Sequence, residues 1–96
     1  MEITEVKVFP VMDGEKLKAY ATIVFDNAFI IRDLKVIEGI KGLFVSMPSR
    51  KRKDGTFRDV VHPLNPETRR MIEDRVVDSY KGVMELDADQ MPVDTE

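Results

Sequence analysis

The most constraining feature of this sequence is an alternation of apolar side chains over residues 17–25. The intervening residues are of mixed polarity, and the apolar positions are Leu17, Ala19, Ala21, Ile23 and Phe25. Successive side chains of an extended strand point to opposite faces, so a period of two predicts a strand that buries one face. The fold is therefore expected to contain a sheet with one side covered.

Turn-forming residues divide the neighbouring stretches into further strands. Residues 6–11 form a β-branched run that ends near Pro10, and Asp13 and Gly14 then predict a hairpin turn. Asp26 and Asn27 predict the next turn. Residues 28–37 carry apolar side chains at both parities, which predicts burial on both faces or a bulge near Arg32 and Asp33. Downstream we predict a loop at 38–42, a strand at 43–47, a polar basic loop at 49–56 with a tight turn at Asp54 and Gly55, and a short strand at 57–62.

A helix is well marked in the last third of the chain. Asn65 is a favourable N-cap, Pro66 suits the first helical position, and Glu67 lies where the helix dipole favours an acid. Lys81 and Gly82 predict its end. Its apolar stripe consists of Thr68, Ile72, Val76, Tyr80 and Val83, with Met71 beside it.

Strands followed by one helix predict an α+β domain, with an antiparallel sheet of four to five strands and one C-terminal amphipathic helix. The chain has 96 residues and no cysteine to cross-link them. One helix covers one sheet face, so we expect a homodimer to cover the other face or an edge strand. We assign residues 1–84 to this domain and residues 85–96 to an acidic disordered tail.

Charge is unevenly distributed along the chain, although the formal net charge is only −3. Residues 85–96 carry 5 acidic residues and no base, which leaves 15 basic and 13 acidic residues in the remainder. A mildly basic body with a separate acidic arm suits a polyanionic ligand, whereas an acidic tail also serves solubility alone.

The N-terminal residues lack the basic start and apolar run of a secretory signal. No apolar run approaches the roughly 20 residues of a membrane-spanning helix. We therefore expect a cytoplasmic protein without a membrane partner.

Few residues are suited to covalent chemistry. His62 is the one histidine, cysteine is absent, and the five glycines are expected at turns rather than in a phosphate-binding loop. A structural role for His62 at the junction of strand and helix is more frequent than catalysis. We expect no enzyme activity, no catalytic residue, no metal site, no cofactor and no small-molecule substrate.

The sequence feature most suggestive of binding is a run of four consecutive cations at residues 50–53. In a turn, such side chains can fan toward one surface, neutralise phosphates and release condensed counterions. A solvated loop explains such a run about as often. The predicted nucleic-acid-binding residues are Arg50, Lys51, Arg52 and Lys53, with Arg58, Arg69 and Arg70 as a second tier.

Two aromatic residues bracket this run, Phe44 and Phe57. We expect both to pack in the core. Stacking of bases on aromatic rings, which is typical of single-strand binders, is therefore not expected.

Five segments form a longer pattern: MEITEV at 1–6, FIIRDLKVI at 29–37, GLFVSMPSRK at 42–51, DGTFRDV at 54–60 and HPLN at 62–65. This pattern spans about residues 1–81 and resembles the bacterial stage V sporulation protein G (SpoVG) family. Lys53 departs from it, because a proline is common there, and the departure makes the run more basic.

The resemblance implies a dimeric protein that binds DNA, and in some members RNA, and regulates gene expression. In spore formers it implies a role in asymmetric septation. It also implies a dimer built around the antiparallel sheet, with the C-terminal helix packed on the sheet or across to the partner. The alternative function is a protein-interaction module of cell division that does not bind nucleic acid and whose basic loop contacts an acidic protein.

Overall fold

The computed structural model describes residues 1–11 and 14–90. In this part of the chain, four strands form an antiparallel sheet in chain order, two shorter strands form a separate hairpin, and one helix follows. The elements are β1 (Ile3–Pro10), β2 (Leu17–Phe25), β3 (Phe29–Gly39), β4 (Gly42–Ser46), β5 (Ser49–Lys51), β6 (Phe57–Asp59) and α1 (Pro66–Gln90). The predicted α+β class with one C-terminal helix is confirmed.

Strand β2 has the predicted one-sided burial. Ala19, Ala21, Ile23 and Phe25 are buried, whereas Tyr20 between the two alanines is exposed. Both neighbours of β2 pair with it antiparallel, which places it inside the sheet. The period of two therefore identified the strand and also its buried face.

Strand β3 contains the bulge that its mixed pattern suggested. Ala21 pairs with Leu34, but Ile23 pairs with Ile31, so β3 has one extra residue between these pairs. Asp33 within this stretch has a φ of 67°. The extra residue exchanges the two faces, and Ile31 and Leu34 thereby pack toward the same core. The bulge, rather than burial on both faces, explains the pattern.

The turns vary in how well the sequence predicted them. Asp26 and Asn27 both have positive φ, and the Ala28 amide donates to the Phe25 carbonyl at 2.8 Å. The predicted turn at Asp13 and Gly14 lies partly outside the described residues, although the strands that it would join do pair. The predicted loop at 38–42 is wrong, because β3 continues to Gly39 and only two residues separate it from β4.

The predicted N-cap of helix α1 is confirmed, since the Thr68 amide donates to Asn65 Oδ1 at 2.7 Å. Its predicted end near Lys81 and Gly82 is wrong, because α1 continues to Gln90. An interior glycine costs only about 1 kcal/mol relative to alanine, and a helix absorbs that cost where the following residues remain favourable. Residues 85–90 of the predicted disordered tail are thus helical, and residues 91–96 lie outside the described residues. The division between domain and tail stays a prediction.

Helix α1 covers one face of the sheet and reaches both of its edges. Ile72 and Val76 are buried against the strands. At the β1 edge, Arg75 Nη1 donates to the Ile3 carbonyl at 3.3 Å, and at the β4 edge the Val45 amide donates to Glu73 Oε2 at 3.4 Å. α1 does not cover the opposite sheet face, where Phe9 and Tyr20 are exposed.

Candidate nucleic-acid interface

The basic run lies in a β-hairpin that extends beyond the main sheet. β5 pairs with β6, and the turn between them closes through hydrogen bonds between Arg52 and Thr56 and from the Gly55 amide to the Arg52 carbonyl at 3.0 Å. Gly55 has a φ of 93°, which favours glycine. The tight turn at Asp54 and Gly55 is confirmed. The prediction of a loop over 49–56 is wrong for residues 49–51, because these find strand partners in β6.

Asp54 stabilises this turn through its side chain. Its carboxylate accepts hydrogen bonds from the Thr56 hydroxyl at 2.7 Å and the Thr56 amide at 3.0 Å. These bonds lower the pKa of Asp54, chiefly through the hydroxyl. The acid closest to the cations in sequence is thus engaged in the turn and keeps it in shape.

The hairpin register places two arginines directly opposite each other. Arg50 pairs with Arg58, and Lys51 pairs with Phe57. Like charges at opposed positions of an antiparallel pair destabilise it. All of residues 49–60 are exposed, so no buried contact of the hairpin offsets this repulsion.

Five of the seven predicted binding residues come together at one concave surface of about 540 Å³, here called the hairpin concavity. Five cations and one acid line it, together with one valine. The lining residues are Arg50, Lys51, Arg52, Lys53, Arg58, Asp59 and Val60. The hairpin, not a fanned loop, produces this clustering, because strand pairing brings Arg58 next to the run.

The structure does not place the two remaining candidates at this surface. Arg69 and Arg70 lie in the first turns of α1 and do not line the hairpin concavity. Arg69 Nη1 lies 3.8 Å from Glu73 Oε2, one helical turn away. These arginines remain second-tier predictions.

The expectation that Phe44 and Phe57 pack in the core is wrong. Phe44 is 42% exposed and Phe57 is 69% exposed. In β4 the buried side is occupied by Val45, so Phe44 faces the opposite way. Phe57 belongs to the hairpin, where α1 provides no cover. The premise that excluded base stacking therefore fails.

Sequence reasoning also missed a groove of about 360 Å³ beside the hairpin. Arg50 and Val60 line this groove as well as the hairpin concavity. The other lining residues are Tyr20, Asp33, Lys35, Pro48 and Ser49. The period of two in β2 indicated that Tyr20 faces away from the core, but only tertiary structure places it next to Arg50.

The described residues contain no group of three or more histidine, cysteine or acidic side chains arranged to bind a metal ion. His62 is exposed and lies four residues before the start of α1. Within the same part of the chain, no helix is both long and apolar enough to cross a bilayer.

Comparisons with known proteins agree with the sequence resemblance. The SpoVG family model matches residues 1–82. Relatives named "Putative septation protein SpoVG" include one from Bdellovibrio bacteriovorus, 63% identical over 84% of this chain and 74% of its own length. Another, from Anaeromyxobacter sp. strain Fw109-5, is 54% identical over 99% of this chain and 97% of its own. A third, from Clostridium perfringens, is 44% identical over 94% of this chain and its full length.

Proposed function

The chain belongs to the SpoVG family, and we propose that it is a cytoplasmic nucleic-acid-binding regulatory protein that performs no covalent chemistry. Its ligand in this proposal is DNA or RNA, and its biological role is control of gene expression linked to septation. The septation link comes from the names of its relatives. The cations of the hairpin support the nucleic-acid ligand.

The observation that carries the proposal is the opposition of Arg50 and Arg58 within a cluster of five cations. A hairpin that only joined the sheet to α1 would be more stable with an opposite-charge or apolar pair at this position. A polyanion reverses the sign of this interaction, because each cation then contacts a phosphate and releases a counterion. Arginine also forms two parallel hydrogen bonds with one phosphate.

The proposal includes a homodimer. The β4 edge is short, with 5 residues, and its Val45 amide is already bonded to Glu73. The β1 edge has 8 residues, and Arg75 engages only its first carbonyl. Pairing of two β1 strands would join the sheets edge to edge and satisfy these backbone groups. Sedimentation equilibrium at micromolar concentration is expected to give twice the chain mass of 11.0 kDa, and a clean monomer would contradict the dimer.

The proposal is tested by removing cations from the hairpin tip. Arg50 stays in place, because it also lines the second groove. Replacing Lys51, Arg52 and Lys53 with glutamine should weaken binding to a DNA duplex by orders of magnitude. The slope of log affinity against log salt should fall by about 0.9 for each phosphate that the variant no longer neutralises. The fold should survive, since exposed substitutions usually change stability by less than about 0.5 kcal/mol.

A matched control removes the same charge elsewhere. Lys16, Lys41 and Lys81 are exposed and do not line the hairpin concavity. Their replacement with glutamine should leave most of the affinity intact. Equal losses in the two triple variants would show that only net charge matters and would remove the site assignment.

The alternative, an interaction module that contacts an acidic protein, is favoured only by the septation names of the relatives. Competition separates the two functions better than salt does, because both are electrostatic. Excess non-specific DNA should displace a nucleic-acid ligand and leave a bound protein in place.

A further inference from the structure

The uncovered face of the main sheet carries a row of side chains in register across three strands. Phe9 lies opposite Tyr20, and Tyr20 lies opposite Lys35. Their strand neighbours, including Ala19, Ala21, Leu34 and Val36, are buried on the other face. Phe9 is 55% exposed and Tyr20 is 40% exposed. Two aromatic rings and one ammonium group therefore stand side by side on an open sheet.

This row, here called the aromatic row (Phe9, Tyr20 and Lys35), leads directly to the hairpin. Tyr20, Lys35 and Arg50 line the same groove of about 360 Å³. Arg50 also lines the hairpin concavity. A ligand bound by the hairpin cations can therefore reach Tyr20 through the groove, and Phe9 lies next to Tyr20 on the neighbouring strand.

We propose that the aromatic row binds unpaired bases of a single-stranded nucleic acid whose backbone is held by Arg50 and the hairpin. This proposal rests on the proposed function and specifies its ligand. Bases within a duplex are stacked on one another and have no free face. The aromatic rings of this row can therefore stack only on unpaired bases. Each base stacked on an aromatic side chain contributes roughly five- to a hundredfold in affinity, and any base sequence is accepted.

The charges around the groove favour a nucleic acid over an apolar partner as the ligand of this face. Lys35 and Arg50 both line the groove, where each can meet a phosphate, and Asp33 is the one carboxylate among its lining residues. A strand pairing at the β1 edge would leave this face open in both subunits of a dimer.

The test compares a single-stranded oligothymidylate with a blunt duplex of the same length. Replacing Phe9 and Tyr20 with alanine together should lower single-strand affinity by roughly 25- to 10,000-fold if each ring stacks one base. Duplex affinity should change by less than about threefold, because the hairpin cations remain. Tyr20→Phe should retain single-strand affinity, since it keeps the ring. Phe29→Ala is the matched control, because Phe29 is 65% exposed and lines a cavity on the helix side instead.

Stacking itself can be observed by fluorescence. The chain has no tryptophan and two tyrosines, Tyr20 and Tyr80. In a Tyr80→Phe variant, Tyr20 is the one remaining tyrosine, and oligothymidylate should quench its emission while the duplex should not.

The outcomes separate this proposal from the function on which it rests. Duplex binding that depends on the hairpin tip, with unchanged single-strand binding after loss of Phe9 and Tyr20, would overturn the aromatic row alone. Loss of the dimer in that variant would assign the row to a subunit contact and also overturn it. A protein that binds neither probe would overturn both proposals.

Discussion

The sheet face under α1 and the β5–β6 hairpin differ in burial and charge: the first buries apolar side chains, and the second exposes charged ones. Under the helix, Ile23, Leu34 and Val36 are fully buried, and no buried residue among those described is polar or charged. In the hairpin, all of residues 49–60 are exposed, and the register opposes two arginines. Burial of apolar surface stabilises the first region, while the second keeps charge in contact with solvent. Stability and binding should therefore respond to different substitutions.

The largest effect is expected for a substitution in the apolar layer under the helix, which tests whether this layer contributes most of the stability. Leu34→Ala should lower the free energy of unfolding by about 2–5 kcal/mol, because it leaves a cavity in the packed layer. Ile30→Ala, on the same strand but 46% exposed, should cost about 1 kcal/mol or less. Urea denaturation measures both values. Similar losses at the two positions would break the comparison, since they would mean that the open face is covered in solution.

A smaller change in the free energy of unfolding, of opposite sign, is expected at Gly82. It tests whether the helix continues beyond the end that the sequence predicted. Gly82→Ala should raise the free energy of unfolding by about 0.5–1 kcal/mol, because a Cβ there meets nothing within 4 Å and alanine is the better helix former. A glycine that ended the helix with positive φ would give a loss instead. Thermal denaturation decides the sign, and affinity for nucleic acid should not change.

In the hairpin, removal of one arginine should raise the stability of the protein and weaken its binding to nucleic acid. Arg58→Gln removes the repulsion with Arg50 and should raise the free energy of unfolding by a few tenths of a kcal/mol. It should also weaken nucleic-acid binding and lower the salt slope by about one phosphate contact. Lys41→Gln removes the same charge from an exposed position that does not line the hairpin concavity, so it serves as the control. A comparable loss of affinity in both variants would show that net charge, and not the position of Arg58, decides binding.

The smallest effect concerns the shape of the hairpin turn. Hydrogen bonds from Thr56 lower the pKa of Asp54 below its ordinary value of 3.8, so their stabilisation is present above pH 3.8 and is lost as the pH falls through the folded-state pKa. The NMR signal of the Asp54 carboxyl should follow this titration. Thr56→Val should move the midpoint upward, and an unchanged midpoint would show that the hydroxyl does not act on Asp54.

Local sequence determined the features that depend on near neighbours. The alternation in β2, the turn at Asp26 and Asn27, and the cap at Asn65 could all be predicted, and the bulge at Arg32 and Asp33 was one of the two alternatives that the pattern of β3 allowed. In each case the deciding interaction spans a few residues. The phase of a strand, a positive φ and a side-chain cap are set by the residues at those positions.

Tertiary structure decided which apolar side chains are buried and which residues distant in sequence come together at one surface. Phe57 is a large apolar residue in a predicted strand, yet it is exposed because α1 packs on the main sheet and not on the hairpin. Strand pairing between β5 and β6 turned a linear basic run into a surface that includes Arg58. The chain path from β4 into the hairpin then placed Arg50 beside Tyr20 and Lys35. These contacts join residues distant in sequence, and the covered side of a sheet depends on where its single helix packs, so no local pattern could have predicted them.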